Sequence, residues 1–192
     1  MSDAKAKIRK GTLYNRRLLS ETIWKERNKL LEDLTFDFLM DRKVKSCHIF
    51  LPIRRNHEFD SWGLIKRLTE ENAEVMLSVS NFSDHTMSHF VYTSDVRFEE
   101  NKFNIPEPVD AAPADISRLD AILIPLLAAD KKGNRVGYGK GFYDRLLSEM
   151  PKSLLKVGVN LAPLFDHFGF AEAHDERLDY CITPHKIFDF HE

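Results

Sequence analysis

The sequence predicts an α/β fold: a single domain over residues 1–192, built as an open, mostly parallel, Rossmann-like sheet flanked by helices, with a helical pair at its N-terminus. Three observations carry this. Short apolar runs closed by proline, glycine or polar residues alternate with stretches of helical periodicity, the pattern of strands joined by crossover helices. The run at 119–127 (LDAILIPLL) is apolar almost without alternation, as a parallel strand covered on both faces must be. A glycine-rich loop follows that run and precedes a helical stretch, and open sheets bind their ligands beyond the carboxyl ends of their strands.

Taken in order, residues 3–40 read as two helices. Ile8, Thr12 and Leu13 recur at helical spacing in the first. Ser20 can cap the second, with Ile23, Trp24, Leu30, Leu31, Leu34 and Phe38 as its apolar side. Residues 45–53 (KSCHIFLPI) are short, apolar and proline-closed, as a buried strand would be. A polar loop at 54–57 leads to Asp60 or Ser61, either of which can cap a helix carrying Leu64, Ile65 and Leu68. Strands are expected at 75–79 and 87–92. The segment 104–114 holds Pro106, Pro108 and Pro113 and must be a loop or an extended connection. After the apolar run and the glycine loop come a helix at 143–150, a strand at 155–159 and a last short strand at 179–183 that leads to the tail.

Composition narrows the class. Of 192 residues 43% are hydrophobic and 30% charged, with a formal net charge of -2, so no overall basic field recruits nucleic acid. The basic residues of the first helix (Lys5, Lys7, Arg9, Lys10, Arg16, Arg17) are the one support for such a role. The longest apolar run is too short to span a membrane, and the charged N-terminal stretch is not a secretory signal. Cys47 and Cys181, without metal-ligand spacing, read as buried thiols of a reducing compartment. The histidines show no zinc pattern. The expectation is a cytoplasmic monomer acting on small molecules, with no nucleic-acid or membrane partner.

The chemistry concentrates at 130–145, DKKGNRVGYGKGFYDR. Gly137, Gly139 and Gly141 alternate with Tyr138 and Lys140, and so many glycines cannot form a helix interior, where each costs about 1 kcal/mol relative to alanine. They let backbone N–H groups approach a ligand, and the following helix adds its positive end, so phosphate is the natural guest. Lys140 can neutralise it, Arg135 can hold a second oxygen in its planar fork, and Asp144 can help hold Mg²⁺. The spacing alone reads equally as a tight strand-to-helix turn with surface charges. It is neither GxGxxG nor GxxxxGK[ST].

The run LDAILIPLLAADKKGNRVGYGKGFYDRLL closely resembles the signature of the 5-formyltetrahydrofolate cyclo-ligases, also called methenyltetrahydrofolate synthetases. That family follows an apolar strand and an Asp with G-x-R-x-G-x-G-x-G-[YF]-Y-D-R, matched here by Gly133, Arg135, Gly137, Gly139, Gly141, Phe142, Tyr143, Asp144 and Arg145. Four shorter segments are similar to family segments in the same order: KAKIR at 5–9, HEFDSW at 57–62 with Ser61 for the usual threonine, IPEP at 105–108 with Asn104 where glycine is usual, and HDERLDYCITP at 174–184. One departure stands out. After 157–159 the family commonly has an aromatic residue and then a glutamine, whereas this chain reads NLAPLF, so no site residue is carried over from there.

The resemblance implies an ATP- and Mg²⁺-dependent enzyme that phosphorylates the formyl oxygen of 5-formyltetrahydrofolate, polyglutamylated or not, and closes the ring through N10. Lys140 and Arg135 would be catalytic. Lys5 and Arg9, with the segment Gly137, Tyr138, Gly139, Lys140, Gly141, Phe142, Tyr143 and Asp144, would bind the nucleotide. From spacing alone Lys5 and Arg9 are a solvated basic helix face. Glu58, otherwise a loop acid, would accept hydrogen bonds from pterin N–H groups. Glu107 is structural or substrate-facing. Asp144 and Asp175 would contact Mg²⁺, and Asp179 would cap the entry to the last strand. Phe82, Phe90, Tyr92 and Phe103 are core residues, of which one or two can stack on the pterin. Rival readings are a nucleotide- or folate-binding module and a sugar-phosphate isomerase or transferase on a similar sheet.

Overall fold

A computed structural model describes residues 3–170 and 175–191. His174, at the head of the HDERLDYCITP segment, lies outside them. Two helices come first, α1 (Asp3–Arg17) and α2 (Glu21–Asp41). Ser20 caps α2 as expected, its Oγ accepting from the Ile23 N–H at 3.3 Å. The buried face of α2 is narrower than its apolar content: Trp24, Leu31 and Phe38 are buried, whereas Ile23 and Leu30 are exposed. In α1 the buried side chains are the cations Lys5 and Arg16, so this helix is seated by polar contacts as well as by apolar ones.

The expected strand at 45–53 is shorter: β1 spans Ser46–His48, and after one more bond to the next strand, from the Ile49 N–H to the Met76 carbonyl, the chain runs on to a 3₁₀ turn at Arg54–Asn56. Helix α3 (Trp62–Glu70) buries Leu64, Ile65 and Leu68 completely. Ser61 does not cap it, because its hydroxyl donates to the Phe50 carbonyl (2.6 Å). Asp60 instead accepts from the Trp62 N–H (3.4 Å). Next come β2 (Glu74–Asn81) and β3 (Thr86–Val91). The proline-rich connection is partly a hairpin, β4 (Arg97–Glu100) against β5 (Pro106–Val109). The apolar run forms β6 (Ala121–Pro125), followed by a small ribbon of β7 (Ala128–Ala129) and β8 (Arg135–Val136), helix α4 (Phe142–Glu149), β9 (Leu155–Val159) and β10 (Tyr180–Thr183). A further strand in the tail, β11 (Lys186–Asp189), closes the edge.

The seven-stranded sheet runs β11-β10-β9-β6-β1-β2-β3. The pairs from β10 through β2 are parallel, and only the outer pairs β2–β3 and β10–β11 are antiparallel. Strand β6 is central. Its Leu123 packs with α2 and α3, and Ile122 and Ile124 pack under α4, which explains an apolar run without alternation. Gly158 in β9 lets Leu126 and Leu178 close over it: a Cβ there would meet their methyl groups at 2.7 and 2.6 Å. The chain leaves β1 toward β2 on one side and β6 toward β9 on the other, so a crevice opens beyond the carboxyl ends of β1 and β6.

Candidate active site

The loops leaving β1 and β6 meet at that crevice, around a cavity of about 480 Å³. Its walls come from the 3₁₀ turn (Arg55, Asn56), the far end of β2 (Ser80, with Phe82 beyond it), the turn between β4 and β5 (Phe103, Ile105), α1 and the glycine loop. The volume suits a small-molecule site. Cα positions far apart in sequence converge here because α1 lies across the β7–β8 ribbon and the 3₁₀ turn.

The glycine loop has the conformation its sequence demands. Gly139 and Gly141 sit at φ +87° and +70°, a region that costs residues with a Cβ about 1–2 kcal/mol. Gly139 also has Arg9 against it, where a Cβ would come within 3.0 Å of the guanidinium carbon. Arg9 in turn donates from Nε to the Gly137 carbonyl (2.8 Å). Upstream, buried Asp130 organises the approach: its carboxylate accepts from the Lys132, Asn134 and Phe168 N–H groups at 2.8–3.0 Å and from Asn134 Nδ2. Burial alone would raise the pKa of this carboxyl, but these bonds outweigh it and hold it below the usual range. The loop is therefore anchored at its base and permissive at its tip.

Most of the residues singled out from the sequence line the cavity: Lys5, Arg9, Arg135, the segment 137–144 and Asp175. Four of the charged ones are already paired, two and two. Lys5 Nζ lies 2.7 Å from Asp175 Oδ2, and Arg135 Nη2 lies 2.6 Å from Asp144 Oδ1. Arg135 also donates to the Glu176 carbonyl. Burial lowers its pKa, while Asp144, Asp175 and Glu176 oppose that shift. Lys140 is exposed at the rim, and its ammonium makes no hydrogen bond or ion pair with the described residues.

Two residues are placed differently from the expectation. Glu107 on β5 accepts from Asn101 Nδ2 (2.7 Å) and is not among the residues lining the cavity, although its neighbours Phe103 and Ile105 are. Glu58 is buried behind Tyr138 rather than open to the cavity. Its Oε1 accepts from the Tyr138 hydroxyl (2.5 Å) and its Oε2 from the Ile53 N–H (2.6 Å). Burial raises the Glu58 pKa against both bonds, and burial and Glu58 together push the Tyr138 phenol up. Asp179 sits at a strand entry as expected, accepting from the Lys156 N–H at 2.7 Å.

The two polar lining residues of the 3₁₀ turn were not singled out. Arg55 and Asn56 were passed over as a polar loop, though their place beyond a strand's carboxyl end was the available signal. Phe82 and Phe103, expected as core residues of which one or two can stack on the pterin, meet at a tilt of 46° with centroids 4.5 Å apart, and Phe82 meets Phe142 edge-on at 5.3 Å, which gives the cavity an aromatic wall. No residue of the atypical NLAPLF run lines it. The donor set fits Mg²⁺, which takes one or two carboxylates and completes its shell with phosphate oxygens and water: Asp144 and Asp175 both line the cavity. No cluster of three or more metal-ligating side chains occurs among the described residues.

Comparison with known proteins gives a consistent answer. Residues 1–184 match the model of the 5-formyltetrahydrofolate cyclo-ligase family. A 5-formyltetrahydrofolate cyclo-ligase of Haemophilus influenzae is 38% identical over 129 residues, 64% of this chain and 67% of that one. Another, of Mycolicibacterium smegmatis, is 28% identical over 189 residues and 95% of each chain. The solved structure of Aquifex aeolicus 5,10-methenyltetrahydrofolate synthetase superposes with a TM-score of 0.78 at 28% identity, covering 98% of this chain and 93% of that one.

Proposed function

The chain belongs to the 5-formyltetrahydrofolate cyclo-ligase family, and from that membership and the cavity we propose that it converts 5-formyltetrahydrofolate and ATP to 5,10-methenyltetrahydrofolate, ADP and phosphate. One observation supports the reading above others: a single cavity joins a cationic glycine loop at one side to the aromatic wall of Phe82 and Phe103 at the other. A triphosphate and a flat heterocycle need those two surfaces side by side.

The reaction has a physical logic. A formamide carbon is a poor electrophile because its oxygen leaves badly. The formyl oxygen attacks the γ-phosphorus, the bond to the ADP oxygen breaks, and the N5 lone pair supports an iminium phosphate. N10 then attacks the formyl carbon, loses its proton, and phosphate departs with the former formyl oxygen. The protein's part is positioning and charge neutralisation. In this reading the loop amides, Arg9 and Lys140 receive the phosphates, and Lys5 and Arg135 exchange their carboxylate partners for phosphate oxygens. Asp144 and Asp175 would hold Mg²⁺, which supplies positive charge to the transferring group. The Glu58 carboxylate accepts N–H groups of the pterin ring, and Phe82 and Phe103 flank it. Glu107 acts indirectly, by shaping the turn that carries Phe103.

We read residues 1–192 as one catalytic domain, in line with the family match over residues 1–184, and propose that it acts as a monomer. No helix among the described residues is long and apolar enough to cross a membrane. Both cysteines are free and buried, which suits a reducing cytoplasm. The test is absorbance of the purified protein with 5-formyltetrahydrofolate, Mg²⁺ and ATP. Growth of the methenyl band that requires both Mg²⁺ and ATP is expected. Tight binding of both substrates with no band would overturn the assigned chemistry.

A further inference from the structure

The carboxylate assigned above to the substrate ring does not face the cavity. Glu58 is 3% exposed and borders a void of about 10 Å³ that it shares with Arg16, whereas Tyr138 lines the cavity in front of it. The phenol is held there by two hydrogen bonds, one of them to a side chain that is itself buttressed. Its hydroxyl donates to Glu58 Oε1 (2.5 Å) and accepts from Asn56 Nδ2 (3.4 Å), and Asn56 Oδ1 accepts from Arg17 Nη2 and Nε (2.6 and 3.1 Å). A carboxylate this buried requires donors. The phenol supplies one that a ring N–H could replace, bond for bond.

We propose that Tyr138 is a positioning residue that caps Glu58 in the unliganded enzyme, and that its release couples folate binding to nucleotide binding. Tyr138 stands between Gly137 and Gly139 in the loop read above as the phosphate cradle, so its ring cannot swing without that backbone shifting. At Gly137 no neighbouring atom stands within 4 Å of where a Cβ would be, so open space adjoins the backbone there. What ties it down is Arg9, bonded to the Gly137 carbonyl and packed on Gly139. A triphosphate that draws the Arg9 guanidinium loosens the same tie. The coupling is therefore positive: nucleotide favours the uncapped loop, and the uncapped loop admits the heterocycle to Glu58. Linkage makes it reciprocal, with a factor typically of about 5–150.

The inference rests on the folate reading of the site, and calorimetry separates the two. Binding of 5-formyltetrahydrofolate is measured with and without Mg²⁺ and a non-hydrolysable ATP analogue, for the wild-type protein and for Tyr138→Phe, whose ring has no hydroxyl to anchor it. The wild type should bind folate about tenfold tighter with the analogue present. Tyr138→Phe should bind folate tighter than wild type without the analogue and lose most of the coupling. Equal coupling in both proteins, or weaker folate binding by the variant alone, would overturn the cap. Should Tyr138→Phe fail to fold, Arg17→Met, which removes the support of Asn56, must show reduced coupling instead. A wild type that forms methenyl product without any coupling leaves the function standing and removes the cap. One that neither binds folate nor forms product removes the function itself.

Discussion

At the rim of the glycine loop, Lys140 carries its charge into solvent with no partner among the described residues, so truncating it strands no buried group. Lys140→Ala should raise the KM for ATP about tenfold or more, the range of a lost charge-assisted hydrogen bond, with an unchanged melting temperature. Steady-state kinetics beside a thermal melt checks both halves. Asp144→Asn should behave otherwise, because Asp144 neutralises a guanidinium whose side chain is only 6% exposed. A Mg²⁺ titration of activity should shift to higher concentration, and the melting temperature should fall as well. These residues were legible because each is a charged group inside an unusual glycine pattern. Arg55, Asn56 and Asp130 were not, because a polar residue in a loop looks the same whether it faces solvent, a ligand or a buried turn. Asn56 is distinguished by bonds to Arg17 and Tyr138, and Asp130 by one to the Phe168 N–H, all far away in the chain.

Among the elements, α1 has the most unusual seating. It delivers Lys5 and Arg9 to the cavity, yet Arg16, as buried as Lys5, is anchored by donating to the Leu126 carbonyl at 2.7 Å. Arg16→Met keeps much of the volume but removes that bond and the charge near Glu58. Hydrogen exchange should then accelerate along α1 while β6 and β9 keep their protection, and the KM for ATP should rise. Unchanged exchange in α1 would show that its apolar contacts suffice. The order and type of the helices were legible from periodicity, and β9 was placed to the residue. The tail strand β11 was missed because KIFD is a four-residue edge whose only signal is its pairing with β10. The breadth of the α2 core face was overestimated, because apolar residues on both sides of a buried stripe count equally in a periodic pattern. The structure covers only Trp24, Leu31, Phe38 and Leu39 of them fully.

For the molecule as a whole, acid stability follows from a buried imidazole. His48, in the central sheet, faces His89 (Nε2 to Nδ1, 3.3 Å), and its Nδ1 has no partner among the described residues. Burial, reinforced by His89, pushes its pKa down to about 3. An unfolded histidine takes up its proton near pH 6.5, so between pH 6.5 and 3 the unfolded chain binds more protons and stability is lost as pH falls. From pH 7 to 5 this amounts to about 2 kcal/mol. Glu58, whose pKa burial raises, works in the opposite sense. Urea unfolding at both pH values should therefore show a loss in the wild-type protein that His48→Phe largely abolishes. A slope unaffected by that substitution would assign acid sensitivity elsewhere. The open parallel sheet itself was legible because β6 is apolar on both faces, and few folds give a strand two covers. The closeness with which those covers pack was not, and Gly158 shows it. With no room for a methyl between Leu126 and Leu178, Gly158→Ala should be a loss-of-function allele, and Leu178→Val or Leu178→Ala should arise as its second-site suppressors. A genetic selection would then report a packing contact across twenty residues of chain.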